Sequence, residues 1–166
     1  MGMTRREVPE SSEVMHRLRE EMGALRRITG SQRLDRLVAV RSGVAIGVAA
    51  VAVLGKVIEN GPMRMTDLAD AVRMHPAALT RQVQTLESEG FVERAADPDD
   101  GRASVVTATS TGRVAHRRIE ATNDELMSEQ LVDWSHAELV ALVEQLDRLV
   151  ADLRAVPESR RRTEAG

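Results

Sequence analysis

Apolar residues recur at steps of three and four along most of this chain, and the breaks in that rhythm divide it into segments. Val14, Leu18, Met22 and Leu25 share one helical face between charged residues, which predicts an amphipathic helix over 12–28. Gly30-Ser31 interrupts it before Leu34, Leu37 and Val38 resume the pattern. Residues 44–58 are small and apolar on nearly every side, the mark of a helix buried all round, and Asn60-Gly61-Pro62 ends it. In a shorter helix Leu68, Ala69 and Val72 lie behind Thr66, whose hydroxyl suits an N-cap. Pro76, lacking an amide hydrogen, fits only a helix's first turn, so the next helix starts there, with Leu79, Val83 and Leu86 facing inward. Gly90 supplies the left-handed residue that closes it.

The period then changes to two. Phe91-Val92-Glu93-Arg94 alternates apolar and charged positions, Ala103 to Thr107 is β-prone, and Pro98 and Gly101 stand between as turn residues, which predicts a hairpin. Thr109 or Ser110 caps a long helix reaching Val132, with Ile119, Leu126 and Leu131 among its apolar positions. Ser135-His136-Ala137-Glu138 is a capping box that starts a last helix at His136. Along that helix Leu139, Leu142, Leu146, Leu149, Leu153 and Val156 alternate steps of three and four, the signature of a helix-association seam. The central segments already form a core, so the seam is assigned to a second copy of the chain, with the first helix as its partner surface.

Two helices joined by a short turn and followed by a hairpin make a helix-turn-helix with a wing, an order that points to double-stranded DNA. Opposite the buried stripe, Ala77, Thr80, Arg81 and Gln84 are short or hydrogen-bonding side chains at the end a major groove admits. With Thr66 and Pro76 at the helix starts, and Arg94 and Arg102 on the hairpin, they are the candidate DNA contacts.

The run TDLADAVRMHPAALTRQVQTLESEGFVERAADPDDGR, with Thr109-Ser110-Thr111-Gly112 after it, closely resembles the MarR family of winged-helix transcription regulators. The resemblance covers about a third of the chain directly. It implies a mainly α fold with a small β-hairpin wing, a winged helix-turn-helix flanked by terminal dimerisation helices. Residues 11–156 then form a single domain, with a DNA-binding lobe over 44–112, dimerisation helices over 11–40 and 113–156, and flexible tails at 1–10 and 157–166, the second basic. It also implies a small-molecule effector, held where Met15, Met22, Val48, Val51, Ala52 and Ile119 meet, with Arg26 as an anion partner. The chain departs from the family pattern in two places: His75 stands where a serine-like cap usually precedes the proline, and the wing carries Asp99 and Gly101 where a basic tip is common.

Composition narrows this reading. A chain of 166 residues, 42% apolar, can bury one substantial core. The absence of cysteine excludes disulfides, thiolate metal sites and a thiol redox switch. Charge is the complication, since the whole chain carries a net −3, and between Gly61 and Arg113 six arginines face eight acids. Affinity for DNA depends on where charges lie, and Glu87 and Glu89 fall at the far end of the helix from its groove-entering start. The acidic wing keeps an alternative open: a dimeric ligand-binding or protein-interaction module with little intrinsic DNA affinity.

No apolar run approaches the roughly 20 residues needed to cross a bilayer, and Arg5-Arg6 precede no apolar secretion segment, so a cytoplasmic protein is expected. His16 near Glu13 and Glu20, and His116 near Glu120, have helical metal-ligand spacing, but such pairs are ordinary on solvated faces, and no metal or cofactor is expected. No phosphate-cradling glycine loop or activated-nucleophile motif is present, which points away from an enzyme. The expected partners are double-stranded DNA, a second copy and a small-molecule effector, with no membrane.

Overall fold

The computed structural model describes residues 10–97, 100 and 103–155. Along it run α1 (Glu10–Thr29), α2 (Gln32–Ser42), α3 (Val48–Asn60), β1 (Met63–Arg64), α4 (Met65–Ala71), α5 (Pro76–Ser88), β2 (Val92–Ala96), β3 (Ser104–Ala108), α6 (Ser110–Gln130) and α7 (His136–Arg154). The chain divides into two compact units between Asp124 and Glu125, within α6.

In the first unit a three-stranded antiparallel sheet has the order β1-β3-β2, with Val92 opposite Ala108 and Ala96 opposite Ser104 in the hairpin. One apolar cluster joins Val53, Leu54 and Val57 of α3, Leu68 of α4, and Leu79, Val83 and Leu86 of α5 to Phe91, Val106, Ala115 and Ile119. Ser31 caps α2, its hydroxyl accepting from the Leu34 amide, so Gly30-Ser31 is a true break between two helices.

Several expectations need correction. Helix α3 starts at Val48 rather than Val44, and it is not buried all round: Val48 is 56% exposed, and Ala49 and Ala52 face outward too. Its core neighbours α4, α5 and β3 cover the Val53-Val57 face. Thr66 is not the cap of α4. The cap lies two residues earlier, at Arg64, because Met63–Arg64 pairs with β3 as a third strand and feeds straight into the helix, and the Arg64 side chain makes no capping bond. Thr66 instead donates its hydroxyl to Asp67 at 3.3 Å. Helix α6 stops at Gln130, short of Val132.

Thr109 is the cap of α6, its hydroxyl oxygen accepting from the Gly112 amide at 2.9 Å. The same hydroxyl bonds the Gly90 carbonyl at 2.7 Å, and the Thr109 amide donates to the Phe91 carbonyl at 3.0 Å, so α6 starts tight against the end of α5. Gly112 is required by that approach, since a Cβ there would overlap the Phe91 carbonyl oxygen.

In the second unit α7 has the expected capping box, with the Ser135 hydroxyl accepting from the Glu138 amide and the Glu138 carboxylate accepting from the Ser135 amide. None of its residues is buried in the lone chain. Leu142, Leu146 and Leu153 are exposed, and Val143 and Val150 beside them widen the leucine seam into a broader apolar face. Val156 lies outside the described residues.

Candidate nucleic-acid interface

The geometry of the helix-turn-helix is set by two chain reversals of the same kind. At the end of α5 the Phe91 amide donates to the Leu86 carbonyl and the Gly90 amide to Glu87, with Gly90 at φ +71, a Schellman closure with glycine in the left-handed seat. At the end of α4 the Met74 amide donates to Ala69 and the Arg73 amide to Asp70, with Arg73 at φ +51. The motif is the same, but an arginine occupies the seat that glycine fills without strain.

His75 then caps α5. Its Nδ1 accepts from the Ala77 amide at 3.3 Å, which places the ring hydrogen on Nε2 and explains how this chain manages without a serine before Pro76.

Leu79, Val83 and Leu86 are fully buried, which turns Ala77, Arg81 and Gln84 outward and leaves Thr80 half-exposed beside Pro76. The Thr80 hydroxyl donates to the Pro76 carbonyl at 2.9 Å, so its oxygen remains available as an acceptor. Six of the eight candidate contacts therefore lie on α4 or α5: Thr66, Pro76, Ala77, Thr80, Arg81 and Gln84. Arg94 is placed differently, on β2, where its guanidinium meets Glu87 at the far end of α5 at 3.3 Å. Arg102 lies outside the described residues.

Sequence reasoning missed an ion pair at the base of the wing. Asp97, buried just after β2, accepts from Arg64 Nε at 2.5 Å through one carboxylate oxygen and from the Asp100 amide at 3.3 Å through the other. The hydrogen bond and the charge of Asp97 hold the Arg64 guanidinium above its ordinary pKa, so it stays a cation throughout the working range. One carboxylate thus ties Asp100 to the strand that leads into α4. Residues 64 and 97 are far apart in sequence and β1 gives no two-residue periodicity, so no signal linked them.

The implied effector-lining residues are spread over α1, α3 and α6. Met15, Met22, Arg26, Val48 and Ala52 are exposed, Val51 is half-buried, and Ile119 is committed to the core. A shallow groove of about 260 Å³ runs along α1 between Val14, Arg17, Leu18 and Glu21, and none of the implied residues lines it. Of the histidines, His16 pairs with Glu20 at 3.3 Å and the His116 ring packs on α3 at Gly55.

Residues 49–104 match the model of the MarR family. The crystal structure of a probable transcriptional regulator from Pseudomonas aeruginosa is 30% identical, matches over 80% of this chain and 98% of its own length, and superposes with a TM-score of 0.62. The chain belongs to the MarR family. A second relative, the uncharacterized HTH-type transcriptional regulator YxaD of Bacillus subtilis, is 32% identical over 55% of this chain, and the match spans 64% of the relative's length. Wild-type MarR from E. coli in its apo form is 25% identical, matches over 76% of this chain and 95% of its own, and has a TM-score of 0.62. As a MarR-family chain, this protein has the winged-helix fold, its small sheet completed by β1.

Proposed function

We propose that this protein is a sequence-specific DNA-binding transcription regulator that grips a short palindromic duplex as a homodimer. The observation that carries the reading is α5, a helix with one face sealed in the core and the other presenting Ala77, Thr80, Arg81 and Gln84 beside its capped start. Arg81 suits guanine O6 and N7, Gln84 suits adenine, and the Thr80 oxygen can accept from a base amino group. Family membership supports the regulatory role, and the exposed apolar faces of α1 and α7 support assembly of two copies. A regulator of this kind works beside the chromosome, in the cytoplasm.

Repression relieved by a small molecule is the regulatory mode we propose. An effector bound among Met15, Met22, Val48, Val51 and Ala52, with Arg26 for an anionic group, would favour a spacing of the two recognition helices that the operator does not match. Four of these five apolar side chains are exposed in the lone chain, so they are free to line a pocket.

A second reading is favoured by the charge: Glu87 engages Arg94, and acids outnumber arginines across the module. In that reading the dimer binds ligands or proteins and has little DNA affinity. Selection from a random-sequence duplex pool at two salt concentrations separates the readings. The regulator reading expects enrichment of a palindrome and affinity that falls as salt rises; no enrichment at low salt would leave the second reading standing.

A further inference from the structure

Arg73 occupies a costly position. Its φ of +51 lies in the left-handed region, where a side chain is strained and glycine is not, yet the Schellman closure of α4 needs a residue there in that conformation. The guanidinium offers no return within the fold. The residue is exposed, and among the described residues it joins no ion pair or side-chain hydrogen bond. The same closure at the end of α5 uses Gly90, so this chain fills an equivalent seat without strain where no side chain is wanted.

Position suggests what the side chain is for. In a helix-turn-helix the first helix crosses the phosphate backbone while the start of the second faces base edges, so the turn between them runs beside the phosphates. Arg73 sits in that turn, two residues before the cap His75. Backbone strain retained at an exposed residue whose side chain makes no ion pair or hydrogen bond among the described residues is what a binding role would maintain.

We propose that Arg73 is a DNA phosphate contact, placed at the groove edge by its left-handed backbone, and that it adds affinity without reading sequence. This rests on the DNA-binding reading. A phosphate contact made by a free cation contributes about one unit to the slope of log affinity against log salt, whichever bases flank it.

The test uses the full chain and a duplex that the wild-type protein enriches from a random-sequence pool. Arg73→Gly relieves the strain, so its unfolding midpoint should rise by about 2 °C. Its affinity should nonetheless fall about tenfold for matched and mismatched duplexes alike, with the salt slope lower by about two, one for the Arg73 of each protomer in the dimer. Arg73→Asn, which tolerates the left-handed region but carries no charge, should lose affinity in the same way, which excludes turn flexibility as the cause. Arg73→Lys should keep most of the affinity and the slope. Opposite signs in stability and binding are the signature, since a purely structural arginine would move both together or binding not at all. Wild-type affinity and slope in Arg73→Gly would overturn the contact alone, leaving the DNA reading intact. If the wild-type protein enriches no duplex, the DNA reading fails and the contact fails with it.

Discussion

At the scale of single residues, chemistry decides which side chains hold the fold and which are free to act. Arg81 is exposed on the outward face of α5 and joins no ion pair among the described residues. If it grips a guanine edge through both nitrogens, Arg81→Ala should cost about 1–3 kcal/mol of affinity per half-site of the selected duplex and relax its preference at one base pair in each half-site. A titration showing unchanged affinity and preference would remove it from the interface. Gly112 is the converse case. Any side chain there meets the Phe91 carbonyl at the joint between α5, β2 and α6, so Gly112→Ala should lower stability by about 2–4 kcal/mol, read as an earlier urea midpoint. The threonine-x-x-glycine text after the hairpin was visible in the sequence; its purpose was not. A cap can be read from a residue type and a spacing, but the carbonyl that forbids a Cβ comes from a residue 21 positions earlier.

Elements were legible where their cause is local. Pro76 marks the start of α5, Gly90 its end and Ser135–Glu138 the start of α7, each through a bond within a few residues, and the structure has all three. Elements defined by distant partners were not legible. β1 is two residues long and exists only because β3 pairs with it, and without β1 the cap of α4 reads two residues late, at Thr66 in place of Arg64. The apolar run at 44–58 misled for a related reason: small apolar residues all round do not say which faces have neighbours. The α7 capping box also gives this scale a pH signature. Hydrogen bonds from the Ser135 hydroxyl and then the Ser135 amide hold the Glu138 carboxyl below its ordinary pKa, outweighing a slight opposing effect of burial. A carboxylate whose pKa is lower in the folded state stabilises that state above its unfolded pKa, and the contribution disappears as pH falls through the folded value. Amide exchange in the first turn of α7 should therefore be pH-independent beyond the intrinsic rate near neutrality and quicken below the ordinary glutamate range. Ser135→Ala should remove that acid step and weaken the helix start by about 1 kcal/mol at neutral pH. An acid step of the same size in Ser135→Ala would place its origin elsewhere.

For the whole molecule, the central question is what covers the apolar face of α7. Leu142, Leu146 and Leu153 with Val143 and Val150 form a face wider than a two-stranded seam, and all five are exposed in the lone chain, as are Val14, Met22, Leu25 and Ile28 of α1. A monomer rarely leaves apolar faces of this extent in water, so a second copy is the natural cover. Two recognition helices held rigidly by such an interface would meet half-sites about one helical turn apart, and each would raise the effective concentration of the other at the operator. Placing Glu at both Leu146 and Leu149 should then give a monomer by sedimentation, with α5 and its wing still folded, because the core around Leu54, Leu79 and Val106 belongs to the other compact unit. That monomer should lose most of its affinity for a full palindrome, on the order of a hundredfold or more, while binding a single half-site as weakly as the wild-type protein does. The comparison of half-site with full site matters most, since a misfolded variant would lose both. A dimer that survives both substitutions would show that the two copies are held through another face, and α7 would no longer be the seam.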